Sequence, residues 1–316
     1  MTVNSSNPSS ELSPFGVPRA GGTGTIGGLP ASRIGYGAMQ LERLRGDRDA
    51  AIAVLRRAVE LGVDHVDTAQ FYGDGLVNEL IRDAYRPEDG VIVVSKVGAE
   101  PNPAGPIPLR PAQRPEQLRA SVEANLRSLD LEQIPVVNLR RLDTKPGLQA
   151  TGDQIVDLDD QLAEMTALRD EGKIGAVGLS AVTLDGVRRA LPAGIVCIQN
   201  LYSLVSRGDE DMLRLCVEEQ IAWMPFFPLG GAFPSMPKVA DDPTVIDIAK
   251  SRDVTPAQVG LAWLLRHAPN VLLIPGTASI EHLEENMAVA AIELDEDAVA
   301  ALDAVQSRTG GIPEFD

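Results

Sequence analysis

The sequence predicts a single α/β domain, a (β/α)8 TIM barrel with an N-terminal β-hairpin and an extra C-terminal helix. Short apolar runs alternate with amphipathic helical stretches, and eight such runs can be counted. Polar residues repeatedly follow these runs, and parallel barrel strands deliver such positions to one face. A doubly wound sheet would have fewer repeats and usually a GxGxxG turn after its first strand, which is absent here.

The N-terminal half contains the hairpin and the first four strands. TGTIGGLPASRIGYGAM is typical of two short strands with a Gly/Pro turn, placed ahead of the first barrel strand. A helix over about 47–61 has an i, i+3, i+4, i+7 apolar stripe starting at Ala51, and Gly62 would end it. The other elements of this half are strand HVD, helix 76–84, strand VIVVS, helix 115–129 and strand PVVNL.

The C-terminal half repeats the same unit. Its predicted elements are helix 155–171, strand 174–179, helix 184–190, strand 195–198, helix 209–220, strand 221–225, helices 243–252 and 256–266, strand 271–274, helix 280–290 and the extra helix 295–305. Long loops follow the third, fourth and seventh strands. They would lie on the C-terminal face, where long loops usually carry function, and would shape the mouth of the barrel.

Composition limits the possible partners. With 45 acidic and 28 basic residues the net charge is −17, which should repel nucleic acid and anionic membrane surfaces. No apolar run approaches the ~20 residues of a membrane span. Cys197 and Cys216 have neither metal-ligand spacing nor a disulfide framework, so no metal is expected and the cytoplasm is the predicted compartment.

The chain divides into a tail and one domain. Residues 1–20 lack the pattern of a signal peptide and are expected to be a disordered tail, followed by a single domain over 21–316. No surface stripe indicates a partner protein. We therefore expect a monomer or weak oligomer that acts on a small molecule.

Asp67, Tyr72 and Lys96 form the strongest candidate catalytic cluster. DTAQFYG places a phenol five residues beyond a strand-end carboxylate, and the next strand ends in a lysine. Asp67 would keep a buried Lys96 charged, and Lys96 would lower the pKa of Tyr72 from its ordinary value near ~10. Singly, these residues are typical of a cap, a surface lysine and a packing ring. Together they indicate an enzyme with a general acid that acts on a carbonyl oxygen.

Several longer motifs extend this cluster. GVDHVDTAQFYG, VVSKVG, GKIGAVGLS, IQNLYS, PLGG and IPGTASIEHLEEN make the chain resemble an aldo-keto reductase across about residues 21–305. The resemblance implies an NADPH-dependent oxidoreductase that reduces an aldehyde or ketone to an alcohol. Hydride would pass from the nicotinamide to the carbonyl carbon while Tyr72 protonates the oxygen, with Asp67 and Lys96 supporting the tyrosine.

The resemblance also implies an NADP(H) site. Ser180 and Gln199 would bind the carboxamide, and Phe226 would stack on the nicotinamide in place of the family's tyrosine. Ala181 stands where many members have asparagine, which removes one expected contact. The residues that the resemblance places at the cofactor are Ala38, Met39, Asp67, Ser180, Gln199, Phe226, Pro228, Leu229, Gly230, Ile274, Gly276, Thr277, Ser279, His282, Glu285 and Asn286.

The segment around Thr277 and Ser279 would hold the adenosine 2′-phosphate, because backbone N–H groups and hydroxyls at a helix start form an anion pocket. This segment favours NADPH over NADH, although His282 stands where many relatives carry arginine. An ordinary capped helix is the simpler alternative for this segment.

Arg140 departs from the family pattern, which usually has a histidine at the end of the fourth strand. The arginine would either replace it as a permanent cation that orients the substrate, or form a structural ion pair with Asp143. In the second case the chain would be a nucleotide-binding redox sensor or regulatory subunit with little catalysis. VVNLR, PFFPLGG and LLIPGTASIEHLEEN also resemble a bacterial branch that includes pyridoxal reductases, and pyridoxal carries an aldehyde beside an acidic ring oxygen.

Overall fold

A computed structural model describes residues 11–105, 108–142, 144, 147–231 and 235–308. Its strands are β1 Thr23–Ile26, β2 Leu29–Ser32, β3 Tyr36–Gly37, β4 His65–Asp67, β5 Ile92–Val97, β6 Ala99–Pro101, β7 Leu109–Pro111, β8 Ile134–Arg140, β9 Ile174–Ser180, β10 Cys197–Gln199 and β11 Ala222–Trp223. Its α-helices are α1 Arg48–Glu60, α2 Leu76–Ala84, α3 Pro115–Leu129, α4 Leu158–Asp170, α5 Leu184–Ala190, α6 Glu210–Glu218, α7 Pro243–Arg252, α8 Pro256–His267, α9 Ile280–Ala288 and α10 Glu296–Asp303.

The barrel wall is a parallel sheet closed by one short segment. Seven strands pair in the order β11-β10-β9-β8-β5-β4-β3. Residues 271–274 supply the eighth position, because Val271 bridges to Trp223 and Leu273 bridges to Ile34, both in parallel. The N–H of Leu273 donates to the carbonyl of Arg33 at 2.8 Å, and its own carbonyl accepts from Gly35 at 2.8 Å. The predicted (β/α)8 barrel is confirmed.

Local signals explain where the first helix begins and ends. The Asp47 side chain caps α1 by accepting from the N–H of Ala50 at 3.0 Å. Gly62 follows the helix with φ +90, and a Cβ there would lie 2.1 Å from the carbonyl oxygen of Pro18.

Four predicted helices, α2, α3, α5 and α7, have the bounds that the sequence predicted. The extra C-terminal helix is present as α10.

The predicted hairpin closes the lower end of the barrel. β1 and β2 pair antiparallel, with Ile26 opposite Leu29. Ile26 and Ala31 are fully buried and join an apolar cluster with the lower barrel residues Val136 and Leu272. Burial of these side chains removes the N-terminal end of the barrel from water. The opposite, C-terminal end therefore carries the open mouth.

Residues 11–20 are ordered, which differs from the tail expected over 1–20. Arg19 forms an ion pair with the buried carboxylate of Asp64 at 2.7 Å. The N–H of Ala20 donates to the carbonyl of Gly62 at 3.0 Å, and Ser13 is buried. These contacts were not expected from the sequence, and the domain boundary at residue 21 stays a prediction. Residues 1–10 and 309–316 lie outside the described part of the chain.

The proline-rich loop after β5 contains a second hairpin that the sequence did not predict. β6 and β7 pair antiparallel, with Glu100 opposite Arg110. The pairing brings residue 112 back beside the end of β5, where the N–H of Ala112 donates to the carbonyl of Gly98 at 3.1 Å. The segment before α3 is thus held against the barrel mouth.

Within the described ranges, no helix is both long enough and apolar enough to cross a bilayer.

Candidate active site

The strand ends that carry the candidate residues lie side by side at one end of the barrel. In the register of the parallel sheet, Asp67 is level with Val94, two residues before Lys96. Arg140 pairs with Ser180, and Ser180 pairs with Gln199. Because all these strands run in the same direction, their carboxyl ends meet on one face. The structure therefore brings Asp67, Lys96, Arg140, Ser180 and Gln199 to one region.

Lys96 and Asp67 form a buried ion pair. The Lys96 ammonium lies 2.7 and 2.6 Å from the two carboxylate oxygens of Asp67 and 3.1 Å from the carbonyl of Thr68. The two residues are only 6% and 4% exposed. Burial disfavours the ammonium, but Asp67 and Tyr72 outweigh that effect and raise the pKa of Lys96. The lysine is accordingly a permanent cation beneath the mouth.

Tyr72 lies against this ion pair. The Lys96 ammonium is 5.1 Å from the centroid of the Tyr72 ring, and Phe71 packs edge-on to that ring with centroids 5.3 Å apart. Burial raises the pKa of Tyr72, Asp67 adds to the rise, and Lys96 and Arg140 oppose it. Lys96 therefore acts in the predicted direction, but burial outweighs it and the pKa lies above its ordinary value. The phenol keeps its proton throughout the neutral range.

Arg140 lies near the same tyrosine. Its guanidinium carbon is 5.9 Å from the centroid of the Phe71 ring, a cation–π distance. Among the described residues, none forms an ion pair with the Arg140 side chain. Burial lowers the pKa of the guanidinium, and Tyr72 opposes that shift. Asp143, the ion-pair partner considered from the sequence, lies outside the described residues.

Gln199 connects the ion pair to the next part of the site. Its amide nitrogen donates to a carboxylate oxygen of Asp67 at 2.6 Å. Its amide oxygen is buried and has no hydrogen-bond partner among the described residues. A buried acceptor without a donor costs free energy, roughly 1–3 kcal/mol. A carboxamide NH2 group, such as that of a nicotinamide, would satisfy it, so these residues fit a nicotinamide cofactor.

Phe226 and the PLGG segment lie beyond the end of β11. Phe226 continues that strand by bridging in parallel to Leu201. Gly230 bridges to Lys238 and has φ +66, and a Cβ there would lie 2.1 Å from the carbonyl oxygen of Pro237. Only glycine fits this turn. Pro228 and Leu229 are half-buried in the same turn.

The first and last strand positions make a close backbone contact. A Cβ on Gly37 would lie 2.5 Å from the carbonyl oxygen of Ile274, and one on Gly276 would lie 2.6 Å from the carbonyl oxygen of Gly37. Ala38 and Met39 follow in a 3-10 helix, Ala38–Leu44, in which Ala38 is buried and Met39 is exposed. Glycines at 37 and 276 are therefore required where these two segments meet.

The predicted phosphate segment forms the capped start of α9. Ser279 is the N-cap, accepting from the N–H of His282 at 3.4 Å, and Thr277 accepts from the N–H of Ser279 at 3.0 Å. Tyr36 fixes the segment by donating its hydroxyl to the carbonyl of Thr277 at 2.5 Å. His282 is exposed at the surface. Glu285 and Asn286 are half-buried one turn further along α9.

Ala181 has a strained backbone. Its φ is +50, in the left-handed region that favours glycine and asparagine. Its N–H donates to the carbonyl of Gln199 at 2.9 Å, and its carbonyl accepts from the Thr144 hydroxyl at 3.0 Å. These bonds hold an unfavourable conformation directly after Ser180. An asparagine at this position would adopt the conformation with less strain.

Two residues near the site were missed from the sequence. Phe71 packs on both Tyr72 and Arg140, and its place next to Tyr72 in DTAQFYG was an available signal. Gln113 donates to the backbone carbonyl of Arg140 at 2.9 Å. No pattern in the loop sequence marks Gln113, because its contact depends on the unpredicted β6–β7 hairpin.

Comparisons with known proteins identify the family of this chain. The family model described as "Aldo/keto reductase family" matches residues 33–307. The chain belongs to the aldo/keto reductase family. Pyridoxine 4-dehydrogenase of Escherichia coli K12 is 40% identical over 290 residues, which cover 90% of this chain and 98% of that protein. Methylglyoxal reductase YeaE of the same organism is 31% identical over 281 residues, which cover 87% and 90%.

Solved structures of this family share the fold. An aldo-keto reductase from Klebsiella pneumoniae in complex with NADPH has a TM-score of 0.75 at 28% identity, with 93% of this chain and 98% of that chain covered. A second Klebsiella pneumoniae structure, in complex with NADP and acetate, has a TM-score of 0.74 at 27% identity, with 93% and 99% covered. The predicted family, barrel and oxidoreductase class are confirmed.

Proposed function

We propose that this protein catalyses NADPH-dependent reduction of an aldehyde to an alcohol, and the reverse oxidation, with a pyridoxal-type aldehyde as substrate. The observation that carries the proposal is the contact of Tyr72 with a buried Lys96–Asp67 pair at the barrel mouth. The 40% identity to a pyridoxine 4-dehydrogenase supports the substrate class. The NADPH complex of a structural neighbour and the unpaired Gln199 oxygen support the cofactor.

Each group in the cluster has a defined task in the proposed reaction. NADPH, when bound, supplies the hydride. The Tyr72 hydroxyl donates its proton to the carbonyl oxygen, and the adjacent Lys96 ammonium stabilises the phenolate that remains. Asp67 keeps the ammonium charged and in place, with both of its oxygens on that nitrogen. Removal of the proton from an alcohol by the same phenolate would serve the reverse direction.

The proposed cofactor contacts follow the positions described above. Gln199 would accept from the nicotinamide carboxamide, with Ser180 beside it, and Phe226 would present its ring to the nicotinamide. The capped start of α9 at Thr277 and Ser279 offers hydroxyls and N–H groups to a 2′-phosphate. TASIEHLEEN contains His282 but no lysine or arginine, so this segment offers the phosphate no permanent positive charge.

Arg140 would recognise a negatively charged oxygen beside the reacting aldehyde. Its guanidinium has no ion-pair partner among the described residues, and such a group can form charge-assisted hydrogen bonds with a phenolate. Pyridoxal carries a ring hydroxyl group on the carbon next to the one that bears the aldehyde, and this hydroxyl ionises readily. A guanidinium near Tyr72 can therefore interact with both the carbonyl oxygen that Tyr72 protonates and the anionic ring oxygen next to it.

The experiment compares pyridoxal with a neutral aromatic aldehyde, for the wild type and for Arg140→Met and Arg140→His, by following NADPH consumption. A lost charge-assisted hydrogen bond is worth about 1.5–3 kcal/mol, so kcat/KM on pyridoxal should fall roughly 10-fold to 150-fold in Arg140→Met. The neutral aldehyde should change much less. Equal losses on both substrates would contradict anion recognition by Arg140.

The same assay separates the enzyme from a redox sensor. We expect steady NADPH consumption that depends on the aldehyde concentration. A wild type that binds NADPH in calorimetry but consumes none with any aldehyde would instead support the sensor. Parallel assays with NADH test the expected preference for NADPH. The two free, buried cysteines further support a reducing compartment such as the cytoplasm, and a monomer or weak oligomer remains our expectation.

A further inference from the structure

A buried glutamine ties together the two strand ends that carry Lys96 and Arg140. Gln113, only 2% exposed, donates from its amide nitrogen to the carbonyl of Gly98 at 2.5 Å and to the carbonyl of Arg140 at 2.9 Å. The ladder between β5 and β8 ends one residue earlier, at Val97 and Leu139. The amide of Gln113 therefore replaces the hydrogen bonding of the sheet where the strands separate.

The contact is close and specific. Gly98 has φ +105, and a Cβ there would lie 2.4 Å from the carbonyl oxygen of Arg140 and 2.8 Å from the Gln113 amide nitrogen. The Arg140 carbonyl thus approaches the Cα of Gly98 so closely that only glycine fits at 98. The Gly98 carbonyl also accepts from the N–H of Ala112. The primary amide of Gln113 has two hydrogens, so it can donate to the Gly98 and Arg140 carbonyls together.

Gln113 is itself held on every polar atom. Its backbone N–H donates to the side chain of Gln154 at 2.8 Å. The fully buried Gln161 of α4 donates its amide to the backbone oxygen of Gln113 at 2.7 Å and to its side-chain oxygen at 2.9 Å. Arg141 donates to the side-chain oxygen of Gln161. The amide orientation is therefore fixed from α4, outside the barrel wall.

Arg140 depends on this backbone anchor more than a paired arginine would. Its side chain has the Phe71 ring at 5.9 Å and no ion-pair partner among the described residues. A guanidinium without a carboxylate is aimed mainly by the position of its own backbone. A displacement of about 1 Å can cost on the order of a hundredfold in rate.

We propose that Gln113 is a positioning residue that sets the place of the Arg140 guanidinium for the anionic substrate oxygen. The inference rests on the proposed function of Arg140. Gln113 does not touch substrate or cofactor in this role. It acts by holding the Arg140 carbonyl, and through Gly98 it also limits the movement of the end of β5.

The test uses Gln113→Met, Gln113→Glu and the double variant Gln113→Met/Arg140→Met in the full-length protein. Gln113→Met should lower kcat on pyridoxal by at least about tenfold, and that on a neutral aldehyde by less than about threefold. In the Arg140→Met background the same change should have less than about a twofold further effect, because the group that it positions is gone. Losses that multiply would overturn the proposal.

The pH dependence of Gln113→Glu distinguishes positioning of Arg140 from a merely structural role, which would not depend on pH. A protonated glutamate can donate to one of the two carbonyls, whereas a carboxylate would repel both. Its activity relative to the wild type should therefore rise as the pH falls toward about 5, near the ordinary range of a carboxyl group. A relative activity that does not change with pH would overturn the proposal.

The matched control is Gln133→Met. Gln133 is exposed, precedes β8 at its other end and donates to the carbonyl of Gly172 at 3.0 Å. The substitution Gln133→Met should leave kcat unchanged within about twofold, as is usual for an exposed surface change. A wild type that reduces neither aldehyde would contradict both this inference and the proposed function. An active wild type with an equally active Gln113→Met variant would contradict the positioning role alone.

Discussion

Replacement of Lys96 by methionine should destabilise the protein strongly at neutral pH. The change removes the ammonium that contacts both oxygens of Asp67 and leaves a carboxylate that is 4% exposed. Only the Gln199 amide then donates to that carboxylate among the described side chains. Breaking a buried ion pair from one side costs about 3–5 kcal/mol, because the remaining charge has no counterion.

The midpoint of thermal unfolding converts this cost into a measurable shift. An unfolding entropy of about 2.1 cal/mol/K per residue, for a chain of this length, turns ~4 kcal/mol into a decrease of about 6 °C. Circular dichroism melting curves of the wild type and Lys96→Met at pH near 8 provide the comparison. The control is the double variant Lys96→Met/Asp67→Asn, which removes the unpaired charge and should recover most of the loss.

The pH dependence of the deficit has a definite sign. In Lys96→Met the buried carboxylate favours its neutral form in the folded state, so its penalty is absent at low pH and appears as the pH rises. The deficit relative to the wild type should therefore shrink as the pH is lowered from about 8 toward about 5. A deficit below about 1 kcal/mol at pH 8, or one that Asp67→Asn does not reduce, would refute the argument that this pair is buried and mutually dependent.

Two further predictions follow from the site. Because the pKa of Tyr72 is raised and a general acid must hold its proton, kcat for reduction should stay level up to about pH 10 and fall above it; a decline centred near pH 8 would contradict this. Ala181→Gly should stabilise the protein by about 1 kcal/mol in urea unfolding because φ is +50, whereas the control Ala124→Gly within α3 should destabilise it by a similar amount. If both substitutions destabilise equally, Ala181 is not strained.

Much of the fold could be predicted because its signals are local. The bounds of α3 follow from a proline at its first position and an apolar stripe from Leu118 to Leu129. β10 and β11 were predicted longer than they are, since apolar runs such as IAWMP do not show where neighbouring strands stop pairing. The ordered segment 11–20 was missed because its contacts with Asp64 and Gly62 are distant in sequence.

The sequence by itself predicted the chemistry, because it places a lysine, a carboxylate and an arginine at strand ends that a parallel barrel brings together, with a phenol five residues beyond the carboxylate. Tertiary structure alone decided how they act on one another. Burial raises the pKa of Tyr72 more than the charge of Lys96 lowers it, and this balance depends on the surrounding atoms. The two hydrogen bonds that Gln113 donates across two strand ends also depend on atoms from distant segments. Burial and hydrogen-bond geometry arise from segments far apart in the chain, so no local pattern encodes them.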